Sequence, residues 1–216
     1  MNIRWYGHSC FLLTDESGVS ILTDPCSPET GYEVKNVYCD AVTVSHDHFD
    51  HNYIKAAAGE PIIITDTGPH DVKGVRITGF PTFHDEFKGS RRGNNIMYLF
   101  ELDGIRVLHA GDIGHLLTRE QIADIGFVDV LLVPIGGKYT LNYIEARDFA
   151  NSLRPSVVIP MHYRIPPCTI DIDDCSSFIS TVRDCRIHKL NDHEASILKN
   201  SLGEDRVLIF EPYTTN

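Results

Sequence analysis

The 216-residue sequence has no run approaching the roughly eighteen apolar residues that span a bilayer, and its first twenty positions hold no basic segment followed by an apolar one. The first absence argues against a membrane-spanning helix, the second against export through a cleaved leader. A cytoplasmic protein with no membrane partner is the expectation. C-x-x-C pairs are missing too: Cys10, Cys26, Cys39, Cys168, Cys175 and Cys185 are scattered, which gives a zinc finger no support and predicts free thiols. Positive charge is scarce, with 19 lysines and arginines against 30 aspartates and glutamates and a net charge of −11. Such a chain repels a phosphate backbone, so nucleic acid is not an expected partner. No low-complexity segment or linker divides the sequence. With 42% hydrophobic residues it can close one sizeable core, so we expect one domain over residues 1–216.

What is present is concentrated in His46-Asp47-His48-Phe49-Asp50-His51, where four strong ligands for a transition metal fall within six residues. If Ala41 to Ser45 is a buried strand, His46 and His48 leave its end in extended geometry and project to the same side, where both can reach one ion. Asp50 and His51 open a segment, residues 49–58, that reads as helix, so they point elsewhere and suit a second ion. Two ions need about six or seven ligands, so partners must come from further along the chain. His84, Asp112 and His162 stand out, each at the end of an apolar strand-like run: 75–83, 105–111 and 157–161. Loops positioned by a rigid sheet are where such chemistry gathers.

These residues resemble the metallo-β-lactamase superfamily, and within it the stand-alone hydrolases grouped with ascorbate-6-phosphate lactonase. Besides the H-x-H-x-D-H run, the similar stretches are Trp5-Tyr6-Gly7-His8-Ser9-Cys10-Phe11, Leu22-Thr23-Asp24-Pro25, His109-Ala110-Gly111-Asp112-Ile113-Gly114-His115, Pro134-Ile135-Gly136-Gly137 and Pro160-Met161-His162-Tyr163. The resemblance implies a metal-dependent hydrolase with two divalent ions, zinc first and manganese, nickel or iron as alternatives. It assigns His46, His48 and His84 to one ion, Asp50, His51 and His162 to the other, and Asp112 to the bridge. It departs from the zinc β-lactamases, which carry cysteine where Asp112 stands, and from the di-iron reductases, which carry glutamate where His48 stands. It also leaves no room for the inserted domain of the RNA-processing members.

The coarse pattern agrees with the fold this implies, a four-layer αββα sandwich of two facing mixed sheets with helices outside. Residues 10–14 lead through a Gly18 turn into 19–24, and residues 97–101 through a Gly104 turn into 105–108, two hairpins that echo each other. Helical patterns fill 118–124, 142–153 and 174–183.

The ligand set predicts the chemistry. A divalent ion lowers the pKa of bound water from about 15.7 toward about 7, and the hydroxide so formed attacks a small ester, lactone or phosphodiester. Asp50 is a candidate to relay the proton of that water. His8 and His115, beside glycines near the metal rim, are candidates to contact substrate or protonate the leaving group; satisfied turn histidines are the competing account. Asp24 is a candidate to hydrogen-bond a ligating imidazole, or else a turn aspartate before Pro25. His109 reads as structural. Arg91, Arg92 and Lys138 are candidate substrate-binding cations, which favours an anionic small molecule. A homo-oligomer is compatible with the sequence. A one-iron dioxygenase of the same fold, or a non-catalytic metal-containing sensing domain, are the alternative readings.

Overall fold

Alternate residues of the N-terminal strands enter two different cores. In Cys10–Thr14, Phe11 and Leu13 belong to one apolar cluster while Cys10 and Leu12 belong to the other; Ile21 and Leu22 divide the same way, as do Ala41 and Val42. That is the period of two expected of a sheet covered on both faces. The computed structural model describes residues 1–183, 185–202 and 206–213. Among these, a six-stranded sheet runs in the order Glu194–Ser196, Asn2–Gly7, Cys10–Thr14, Ser20–Thr23, Ala41–Thr43 and Ile62–Ile64. An eight-stranded sheet has the order Arg186–Lys189, Arg206–Ile209, Val157–Met161, Val130–Pro134, Ile105–His109, Asn94–Leu102, Val75–Phe83 and Gly68–Val72. Both are mixed. The central strand Val130–Pro134 is buried at all five positions between parallel neighbours, which explains its uninterrupted apolar sequence.

The larger core lies between the sheets. Trp5, Phe11 and Leu13 from the first meet Met97, Phe100 and Val107 from the second, and Ala146, Phe149 and Leu153 of the helix Tyr143–Leu153 join the same cluster. Asn142 caps that helix in a reciprocal box with Glu145, and Thr118 does the same with Gln121 for the helix Arg119–Ile125. Both match the sequence expectation to within a residue or so. The third helix, Ser176–Thr181, is shorter than the expected 174–183. The two expected hairpins are present, one in each sheet.

One expected helix is not. Residues 49–58 form a single turn, a 3-10 segment Ile54–Ala56 and a short strand Ala57–Ala58 paired with Val37–Tyr38. Long-range backbone bonds account for it: Phe49 O accepts from Ser27 N at 3.1 Å and Tyr53 N donates to Pro25 O at 2.8 Å, so groups a helix needs are engaged by the 25–27 loop. The outer face of the first sheet is therefore covered by irregular chain, with Tyr32, Val34, Val37 and Ala56 packed on Cys10, Leu22 and Val42. None of the six cysteines is in a disulfide, and among the described residues no helix is long and apolar enough to cross a membrane.

Candidate metal centre

Topology places the candidate ligands at one rim. Asn2–Gly7, Ser20–Thr23 and Ala41–Thr43 run in one direction in the first sheet, and Val75–Phe83, Ile105–His109 and Val157–Met161 share a direction in the second. His8, Asp24, His46, His84, Asp112 and His162 each follow the carboxyl end of one of these strands. Three of them leave in the left-handed region, uncommon for residues other than glycine: His8 at φ 52°, Asp24 at 38° and His162 at 51°. Gly111, at φ 57°, allows the turn into Asp112; a Cβ there would lie 2.3 Å from Asn95 Oδ1.

The side chains converge. Donor atoms of His46, His48 and His84 lie within 4.8 Å of one another, as do those of His8, Asp50, His51 and His162, and those of His46, His51 and Asp112. Asp112 sits between the groups, with Oδ1 3.2 Å from His51 Nε2 and Oδ2 3.1 Å from His162 Nε2 and 3.3 Å from His84 Nε2. Asn95 holds it: its Oδ1 accepts from Asp112 N at 2.9 Å while its Nδ2 donates to Ala110 O and Thr82 Oγ1.

A buried network fixes the tautomers. Asp24 accepts from Ser45 N at 2.7 Å, from Ser45 Oγ at 2.6 Å and from His51 Nδ1 at 2.8 Å. Because the Ser45 hydroxyl gives its proton to Asp24, it accepts from His46 Nδ1 at 2.9 Å. The Nε2 lone pairs of His46 and His51 are thereby turned toward the cluster, and both atoms are buried with no hydrogen-bond partner, as is Asp112 Oδ1. This donor set fits a divalent cation, for which such lone pairs are the ligands.

The electrostatics ask for one as well. Burial alone would lower the pKa of His51, but Asp112, Asp50 and Asp24 raise it well above the ordinary value. Burial also works to raise Asp112, yet His162 and His51 hold it well below the usual carboxylate range. His46 is pushed down to about 3, chiefly by burial and then by His51, so it is neutral and able to ligate near pH 7.

The remaining candidates divide. His8 is fully buried and, unlike Asp112 and His162, does not line the space over the ligands, so the structure does not set it where the expected substrate contact needs it. Its Nε2 lies 3.1 Å from Asp50 Oδ2, its ring centroid is 4.1 Å from that of His162, and burial, with His162, lowers its pKa to about 4. A neutral His8 that donates from Nε2 steadies the Asp50 carboxylate. His115 is corrected too: Nε2 accepts from Phe83 N at 3.2 Å and Nδ1 donates to Leu116 O at 2.9 Å, so both nitrogens brace the chain beside His84 and neither is free to protonate a leaving group. His109 donates from Nε2 to Ser9 O at 2.9 Å and accepts from Gly111 N at Nδ1, a structural role.

Of the three cations, only Arg92 lines the mouth over the ligands, a cavity of about 370 Å³ with Phe49, Tyr139 and Ile170 as its apolar wall. Arg91 stacks on Phe87 outside it, and Lys138 is paired with Asp171, which corrects both expectations. The discriminating feature is Asp85, which sequence reasoning missed. Its Oδ1 accepts from Phe87 N and Gly89 N, and its Oδ2 from Arg91 N and Arg92 N, at 2.8 to 3.0 Å. Burial would raise this carboxyl, but the four donors outweigh it and hold it below the usual range. The loop so wound sends Arg92 to the mouth, where it donates to Lys138 O at 3.2 Å and lies over the Tyr139 ring. An aspartate just ahead of a glycine-containing loop was the only sequence signal.

Comparison with known proteins agrees with this geometry. A family model described as "Beta-lactamase superfamily domain" matches residues 2–162. A metal-dependent hydrolase of Pyrobaculum islandicum is 32% identical over 221 aligned positions, which cover 87% of this chain and 96% of that one. A crystal structure from Thermotoga maritima, provisionally designated a Zn-dependent hydrolase of the metallo-beta-lactamase superfamily, is 36% identical with a TM-score of 0.81, covering 98% of this chain and 99% of that one. A metallo hydrolase from Ignicoccus hospitalis aligns with a TM-score of 0.58 at 26% identity, over 79% and 86% of the two chains.

Proposed function

The chain belongs to the metallo-β-lactamase superfamily of metal-dependent hydrolases, and from that premise we propose that it cleaves a small anionic ester, lactone or phosphodiester at two divalent ions. His46, His48 and His84 would hold one ion, Asp50, His51 and His162 the other, and Asp112 would touch both. The observation that carries the reading is the convergence of buried ligand atoms of His46, His51 and Asp112 within 4.8 Å of one another at the rim, with His46 Nε2 left without a hydrogen-bond partner. Zinc is favoured by the designation of the Thermotoga maritima relative, while a mixed imidazole and carboxylate set also suits manganese, nickel or iron.

When bound, such ions supply Lewis acidity and a water acidic enough to ionise near neutral pH. The protein's own groups do the rest. Asp24, acting on His51 directly and on His46 through Ser45, keeps each imidazole in the tautomer that offers Nε2. Asp50 lines the mouth as an ionised carboxylate: burial opposes this, but His51 and the His8 hydrogen bond outweigh it. Its position in the mouth, with His8 fixing its orientation, is what suits it to take a proton from water and pass it on. Arg92 holds the anionic part of the substrate.

Arg92 supplies the test of the substrate class. Arg92→Ala should raise KM for anionic esters about tenfold at low salt and leave a neutral ester of the same shape nearly unchanged, because a distal contact acts on ground and transition states alike. The difference should shrink at high salt. Arg91→Ala should do little to either. Equal losses on charged and neutral esters would remove the case for an anionic substrate.

A further inference from the structure

Beside the mouth lies a second, larger cavity of about 620 Å³ that extends past His46 and His48 on the other side. Both cavities are of the size of small-molecule sites, about 300–1,000 Å³. They share two lining residues, His48 and Arg92, and are otherwise unlike. The mouth has the apolar wall of Phe49, Tyr139 and Ile170. The larger cavity has Val44 and Ile96 at its base and, beside Arg92, presents the neutral or acidic hydrogen-bonding groups Asp47, Asn52, Thr65 and Asn94.

Much of that capacity is unspent. Asn52 Nδ2 donates to Asp47 Oδ1 at 2.7 Å, which leaves the Asn52 carbonyl and the second Asp47 oxygen as acceptors. The Thr65 hydroxyl and the Asn94 side-chain amide have no hydrogen-bond partner among the described residues. Donors and acceptors are mixed, since the Arg92 guanidinium and the Asn94 amide N–H groups stand beside these acceptors, and the Asp47 carboxylate offsets the Arg92 charge. A neutral group carrying several hydroxyls, each at once donor and acceptor, is what such a lining satisfies. The ligands of the rim stand at the junction, since His48 faces both spaces.

We infer that the substrate has two arms, joined at the bond that is hydrolysed. One is an apolar, anionic arm in the mouth against Arg92; the other is a neutral, hydroxyl-bearing arm in the larger cavity, chosen by Asn94, Thr65, Asn52 and Asp47. This inference rests on the hydrolase reading. It makes the larger cavity the seat of specificity for the second product, so discrimination among substrates depends on residues that touch neither ions nor anion.

Phenylmalonate half-esters separate the arms, since the acid part carries both an aryl ring and a carboxylate. Water cleaves each to phenylmalonate and the free alcohol. With metal-loaded protein, the erythrityl half-ester should exceed the ethyl and butyl half-esters at least tenfold in kcat/KM. Asn94→Leu and, separately, Thr65→Val should cut that preference several-fold through KM while leaving the ethyl half-ester unchanged. No preference in the unaltered protein, or equal losses on all three esters, overturns the inference. If none of the esters is cleaved, the failure lies with the hydrolase reading, and the cavity is then judged from the side-chain amide NMR signals of Asn52 and Asn94. Shifts on titration with the erythrityl but not the ethyl half-ester support it, and no shift overturns it.

Discussion

Asp112→Asn should lower hydrolysis of any good substrate by at least a thousandfold and reduce bound metal from two ions per chain toward one, with the fold kept. The reason is the position of the carboxylate: 1% exposed, its two oxygens are within 3.3 Å of His51, His84 and His162. Asparagine is nearly isosteric, and Asn95 would still hold the backbone N–H, so the change removes the buried negative charge rather than the packing. An anion between two cations is what the proposed site requires of this carboxylate, and an amide cannot replace it. Activity is to be measured at saturating zinc and metal content after gel filtration. Turnover within threefold of the unaltered protein, with two ions retained, would remove Asp112 from the bridge.

The second large effect belongs to a residue that touches no substrate. Asp24→Ala should weaken metal binding 10- to 100-fold, because it frees His51 to rotate and lets Ser45 release His46. It should also destabilise the metal-free protein by roughly 3 kcal/mol or more, since it leaves the Ser45 amide and the His51 ring without partners in a fully buried place, at about 1–3 kcal/mol each. Competition with a chelator reads the first effect, and urea unfolding in the absence of metal the second. Loss of stability with metal affinity intact would mean that Asp24 serves the fold alone.

How far the sequence exposed this site depended on how local the cause was. His46, His48, Asp50 and His51 declare themselves by type and spacing, and His84, Asp112 and His162 by standing at the ends of apolar runs that are in fact strands. The strand-like runs 105–111 and 157–161 and the helical patterns 118–124 and 142–153 were legible for the same reason. Three features were not. Residues 49–58 carry a helical pattern, yet bonds to Pro25 and Ser27, more than twenty positions away, divert their backbone. His8 lies in a glycine-flanked turn that looks exposed, but its left-handed φ and the packing of Tyr32 against Gly7 turn it inward beneath Asp50. Arg91 and Arg92 are equivalent in sequence, and only the Asp85 loop decides which of them reaches the mouth. In each case the deciding contact is a backbone or buried polar one that side-chain periodicity does not record.

The central claim, that seven side chains on one rim hold the ions on which hydrolysis depends, is tested most directly by stripping the protein with a chelator and titrating zinc back while metal content and ester hydrolysis are followed together. The account predicts that hydrolysis vanishes with the metal, returns with it, and saturates at two ions per chain. Hydrolysis that persists in the stripped protein would contradict it, as would a single bound iron with oxygen-dependent turnover in place of hydrolysis.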